Sequence, residues 1–223
     1  MMSKFFRNKS DSVSYALRGS EKPGCLLFAE GDAEAYYLDS WLNKLGKDAK
    51  DIAVVCFKGG SKLGNLFRAL SEEENFSNVK RFGFFLDAEQ NKATHMAASI
   101  CSVLQKHEII FPQTHLKAGV LHEMNGYRVA ICVSPDNIEK GCIEDIVINE
   151  INSSQLSASI KGLADSAGII LHAPVSSKAL VQAYLGLLQP GLCGTGRGFD
   201  TGKLDVLHDA YRIVRETISP LLN

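Results

Sequence analysis

Short unbroken apolar runs alternate with stretches in which apolar residues recur every three or four positions. The runs 25–29, 52–57 and 82–86 carry no polar alternation, the mark of strands covered on both faces in a parallel sheet. Between them, Leu38, Trp41, Leu42 and Leu45 fall on one helical face, with Asp32 as a cap and Gly46 as a stop. Leu63, Leu66, Phe67 and Leu70 make a second such face, and Met96, Ile100, Val103 and Leu104 a third. The resulting βαβαβα order predicts a mostly parallel sheet flanked by helices, with right-handed crossovers. Further on, 118–121 and 127–133 read as strands joined at the turn Asn125-Gly126. A helix opens at 141–145 and runs to about Ile151, and 160–171 fits a helix or a short strand. Val181, Tyr184, Leu185 and Leu188 predict a helix, and Leu207, Ala210, Tyr211, Val214 and Ile218 predict the last one. The organisation expected is a polar arm over 1–22, an α/β core over 23–152 and a helical C-terminal extension over 153–223. All three would form one compact unit.

Composition narrows the class. A chain of 223 residues, 45% apolar and 22% charged, has enough apolar content for a substantial core and reads as a soluble globular protein. No apolar run is long enough for a membrane helix, and the first 22 residues lack an apolar stretch of signal-peptide length. The six cysteines are scattered and form no CxxC pair, so reduced, buried thiols in a cytoplasmic protein are expected. A net charge of −1 gives no bulk attraction to nucleic acid or to anionic membranes. A polyanion would have to be held by a local patch or through a bound metal. The 1–22 arm, in which Lys4, Arg7, Lys9, Arg18 and Lys22 outnumber the acids, fits either a loosely docked segment or such a patch.

The candidate chemistry lies where the apolar runs stop. The first run is followed by Glu30, with Glu34 in the next helix; the third ends in Asp87, with Glu89 two residues on. Ser134-Pro135-Asp136-Asn137 follows 127–133, and Glu144 and Asp145 sit at the next helix start. Each acid has a plain local use, as a turn residue, a cap or a partner of the helix dipole. Three acidic strand ends on one sheet edge have another. In open α/β sheets ligands bind at the carboxyl ends of the strands. Carboxylates gathered there repel one another unless a cation is present, and an oxygen-only set suits Mg²⁺ or Mn²⁺.

These segments resemble the TOPRIM domain of topoisomerases, primases and the nucleases of the OLD (overcoming lysogenization defect) group. The likeness rests on Phe28-Ala29-Glu30-Gly31, Leu86-Asp87-Ala88-Glu89 and the acidic segment 141–145. The chain is more closely similar to small stand-alone TOPRIM-like proteins of the DUF3226 type. To that likeness 134–137, 141–145, Ser177-Lys178-Ala179 and the glycine-rich loop with Phe199-Asp200 also contribute, over roughly 24–220. The resemblance implies a TOPRIM-like, Rossmann-like fold and a metal-dependent nuclease acting on DNA or RNA. It makes Glu30 the acid of general acid–base chemistry or metal binding. It makes Asp87 and Glu89 metal ligands in the place of a DxD pair, Glu89 being one methylene longer than the family's acid. Glu34 matches the second acid of an EGxxE form, Glu144 with Asp145 a later acidic element, and Lys178 a late lysine near the scissile phosphate. The alternative is a module that binds metal or nucleotide without hydrolysis and works through a partner protein.

Two glycine-rich segments remain. Lys58-Gly59-Gly60-Ser61 lies between a strand and a helix start, so Gly59, Gly60 and Ser61 could seat a phosphate as well as make a tight turn. The 190–203 segment is neither a Walker A loop, since Leu204 follows Lys203 where Ser or Thr is needed, nor a GxGxxG loop, since Phe199 stands at the third glycine. It is expected to be a surface loop, with Arg197 a phosphate contact if it has any role. The histidines form no HExxH or other metal-like pair, which leaves His172, six residues before Lys178, as the one near the expected site.

Overall fold

The computed structural model describes residues 4–7, 23–46, 51–57, 62–72, 74–171 and 175–223. Six strands form one sheet: β1 (Lys4–Arg7), β2 (Cys25–Ala29), β3 (Ile52–Cys56), β4 (Arg81–Asp87), β5 (Leu121–Met124) and β6 (Tyr127–Ser134). Their order across the sheet is β1-β3-β2-β4-β6-β5, with every pair parallel except β5 against β6. The expected α/β architecture is therefore present. Part of the segment read as a polar arm is β1, an edge strand beside β3. The hairpin strand before Asn125-Gly126 starts three residues later than its apolar pattern suggests. Both turn residues have positive φ, as a two-residue hairpin turn requires.

The unbroken apolar runs are explained by helices on both faces. Along β2, Cys25, Leu27 and Ala29 enter one core layer, with α1 (Asp32–Lys44), α4 (Ile143–Asn152), α6 (Ser177–Leu188) and α8 (Arg212–Ile218). Leu26 and Phe28 enter the other, with α2 (Leu63–Ser71) and α3 (Ala93–Lys106). All five side chains of β2 are fully buried. From β2 the chain passes through α1 to β3 on one side; from β4 it passes through α3 and β5 to β6 on the other. The winding thus reverses between β2 and β4. The helices that follow these two strands lie on opposite faces, the topology at whose reversal point open α/β sheets bind ligands.

The segment 160–171, ambiguous in sequence, belongs to helix α5 (Ser157–Leu171). The glycine-rich 190–203 segment is more than the surface loop expected. It contains α7 (Thr195–Asp200), with Thr195, Gly196, Gly198 and Phe199 buried. A Cβ on Gly196 would stand 2.7 Å from Tyr36 Cδ2 and 3.1 Å from the Asp32 carbonyl oxygen, so only glycine lets α7 approach α1. Gly196→Ala is expected to lower stability by about 1–3 kcal/mol through overpacking, read as a drop of several degrees in Tm.

The C-terminal extension is tied down by polar contacts. Glu150 on α4 accepts from the Tyr211 hydroxyl at 2.6 Å and from the Asp205 N–H at 2.9 Å. At the opposite pole from the strands' carboxyl ends, Arg81 at the start of β4 donates to the Leu221 carbonyl, and Arg128 in β6 to the Asn223 carbonyl.

Candidate functional site

Glu30 leaves β2 and Asp87 ends β4, the two strands that flank the reversal. The Glu30 N–H donates to the Phe85 carbonyl at 3.1 Å, which continues the ladder one residue past β2. In return the Asp87 N–H donates to Glu30 Oε2 at 3.2 Å. The first two acidic strand ends therefore touch.

Glu34 reaches the same place from the first turn of α1. Asp32 does not cap this helix; it is the first helical residue, and Gly31 stands at the N-cap with φ −131°, open to any residue. A Cβ at 31 would lie 2.7 Å from Glu34 Oε2, so a larger residue there would displace the Glu34 carboxyl. Glu34 is 2% exposed. Its carboxyl is pushed well above the usual carboxylate range by burial first, and then by the charges of Asp87, Glu144 and Glu30.

The start of α4 supplies the third side. The Ile143 N–H donates to Asp87 Oδ1 at 2.8 Å, aiming a free helix-terminal amide at the carboxylate. Burial and then the Glu144 charge raise Asp87 to about 7, with Glu30 adding to the effect; the Ile143 amide and a hydrogen bond with the Glu34 side chain oppose it. Glu34 and Asp87 thus form a hydrogen-bonded carboxyl pair, each raised above the usual carboxylate range. Glu144, itself buried, accepts from Thr195 Oγ1 at 2.6 Å. The buried end of the glycine-rich segment therefore holds one acid of the cluster. Nothing in sequence marks Thr195, which lies 51 residues from Glu144.

The other acids named from sequence have different surroundings. Asp145 Oδ2 accepts from the Cys142 N–H at 2.8 Å, and Asp145 Oδ1 from the Ser177 hydroxyl, so it joins the starts of α4 and α6. Asp136 is exposed and accepts from the N–H groups of Ile138 and Glu139 within its own turn. Glu89 is exposed, with φ +50°; its backbone exchanges hydrogen bonds with that of Gly141 at 2.7 and 3.1 Å. Lys178 is exposed in the first turn of α6, one residue past Ser177. Arg197 is exposed and ion-paired with Asp200 at 3.1 Å. Gly59, Gly60, Ser61 and His172 lie outside the described residues. Cys142 borders the acids, and burial with their charge drives its thiol pKa up, against any nucleophilic use.

As a donor set, Glu30, Asp87 and Glu144 offer only carboxylate oxygens, which fits a hard divalent cation such as Mg²⁺ or Mn²⁺. Among the described residues no three His, Cys, Asp or Glu side chains are already closed around one point. The acids meet in pairs, and burial with the neighbouring charges raises Asp87 to about 7. Buried carboxyls that must take up protons to coexist are the electrostatic condition a divalent cation relieves.

A doubly wound sheet with four acids at its reversal point defines an α/β protein with carboxylates gathered at the carboxyl ends of its strands. Among such proteins, the chain belongs to the DUF3226 family, described as a protein of unknown function, which matches residues 25–210. It is also similar to the crystal structure of hypothetical protein PH0156 from Pyrococcus horikoshii OT3. That likeness has a TM-score of 0.56 at 14% identity and covers 88% of this chain and 94% of that one, a likeness of fold. No curated protein matches the chain. Among the described residues no helix is long and apolar enough to cross a membrane.

Proposed function

We propose that the acid cluster is a divalent-cation site of TOPRIM type and that the protein hydrolyses phosphodiester bonds in nucleic acid. The observation that carries this reading is the meeting of Glu30, Glu34, Asp87 and Glu144 at the sheet's reversal point, with Asp87 and Glu34 raised by burial first and then by neighbouring carboxylates. Glu30, Asp87 and Glu144 would hold Mg²⁺ or Mn²⁺, which when bound polarises a phosphate and lowers the pKa of water. Glu34 and Thr195 hold the ligands in place from behind. Glu30, less buried than Glu34, is the acid able to take the proton from an attacking water. The water oxygen bonds to phosphorus, the bond to the leaving ribose oxygen breaks, and that oxygen takes a proton from solvent water. Lys178 and the start of α6 stand next to α4 through the Ser177–Asp145 bond, where positive charge would stabilise the phosphate.

The test is incubation of the purified chain with plasmid, single-stranded DNA and RNA, with Mn²⁺ or Mg²⁺. Cleavage of at least one substrate is expected, with loss of about 100-fold or more in Asp87→Ala. Cleavage that persists in that variant removes the proposal.

A second reading has its own support. Lys178 and Glu89 are both exposed, and the acids are not closed around one point. These features suit a module that binds a cation or nucleotide and acts through a partner protein. Cation uptake by calorimetry, with no cleavage under any metal, would favour it.

A further inference from the structure

We propose that the Ser134 hydroxyl is a further ligand of the cation site, contributed by β6 beside Asp87. The inference rests on the reading of the acids as a divalent-cation site. Ser134 is 1% exposed, and its Oγ has no hydrogen-bond partner among the described residues. A buried hydroxyl left without a partner is unfavourable, and such a group points to an ion or water that belongs there.

The register places it against the acids. Asp87 and Ser134 are directly paired across the β4–β6 ladder. Two residues earlier, Phe85 and Cys132 enter the same core layer, the one that contains α1 and α4. Side chains two apart on a strand share a face, so Asp87 and Ser134 stand side by side on the face where α4 begins. The backbone of Ser134 is fixed, its carbonyl accepting from the Ala88 N–H at 3.3 Å. Two oxygens that stand side by side on neighbouring strands can both reach one cation, which holds its ligands at about 2.1 Å. The hydroxyl is a neutral oxygen donor, so it adds a ligand to the acids without adding to their repulsion.

The test compares the full-length chain with Ser134→Ala and Ser134→Cys. Titration calorimetry with MnCl₂, MgCl₂ and CdCl₂ gives the affinities, and thermal unfolding in a chelator gives the metal-free Tm. For Ser134→Ala, Mn²⁺ affinity is expected to fall about 10-fold while the metal-free Tm holds or rises, because an unpartnered hydroxyl is removed. For Ser134→Cys, the ratio of Cd²⁺ to Mg²⁺ affinity is expected to rise at least about 10-fold, since sulfur prefers the softer ion. An unchanged Mn²⁺ affinity in Ser134→Ala overturns the proposal. So does an unchanged Cd²⁺/Mg²⁺ ratio in Ser134→Cys, which covers the case in which alanine merely loosens the fold. If the wild-type chain takes up none of these ions, it is the reading of the acid cluster that fails.

Discussion

Asp87→Asn is expected to do two opposite things: raise the unfolding temperature of the metal-free protein at pH 8, and sharply weaken its uptake of Mn²⁺. The amide oxygen can still accept from the Ile143 N–H, which now reaches Asp87 Oδ1 at 2.8 Å. The amide nitrogen can donate to Glu34 or Glu30, so the packing survives. What disappears is a buried negative charge beside Glu144, Glu30 and Glu34. Removing that repulsion should stabilise the fold by about 1–3 kcal/mol, a rise of several degrees in a chain of this size. The same change removes a ligand, so the Mn²⁺ dissociation constant should rise by about 100-fold or more. Thermal unfolding in a chelator and titration calorimetry read the two effects separately. A variant that loses stability in the chelator would show that Asp87 serves the fold; one that binds Mn²⁺ as the wild type does would show that it does not serve the ion.

The second large effect is the dependence of stability on pH. Asp87 titrates at about 7 in the folded chain and near 3.8 when unfolded. Its folded-state pKa is raised, so the stabilisation from the bound proton is fully present below about pH 4 and is lost as pH rises through about 7. Glu34 is raised as well, so it contributes in the same direction. Metal-free protein should therefore become less stable from pH 5 to pH 8, by on the order of 2–4 kcal/mol with Asp87 largely buried. Mn²⁺ at 100 times its dissociation constant should return about 2.7 kcal/mol at pH 8. It should return far less at pH 5, where the proton competes for the same oxygens. Unfolding midpoints with and without Mn²⁺ across this range decide the matter. A flat metal-free profile, or one that keeps its slope in Asp87→Asn, would rule out the acid pair as its source.

Much of the fold is legible along the chain because unbroken apolar runs and three-to-four spacing are local signals. They locate β2, β3, β4 and the helices between them, and with these the strand ends that bear Glu30 and Asp87. What they leave out depends on pairing at long range. The side chain of Asp136 resembles a strand-end acid in sequence but turns back onto the amides of Ile138 and Glu139. Thr195 and Ser134 look like ordinary polar residues until α7 meets α4 and β6 meets β4. The glycines of 194–198 read as loop because glycine disfavours helix. Here Gly196 serves close approach to α1, which becomes visible only once Tyr36 and the Asp32 carbonyl are seen against it.

The arginines at the foot of the sheet have a practical use. Arg81 and Arg128 hold the last carbonyls of the chain beneath β4 and β6, and the seven residues of β4 put roughly 20 Å between that end and Asp87. A dye, bead or surface coupled through the final residue would sit under the strands. The acid-bearing rim would then point into free solution, which suits single-molecule observation of whatever it captures.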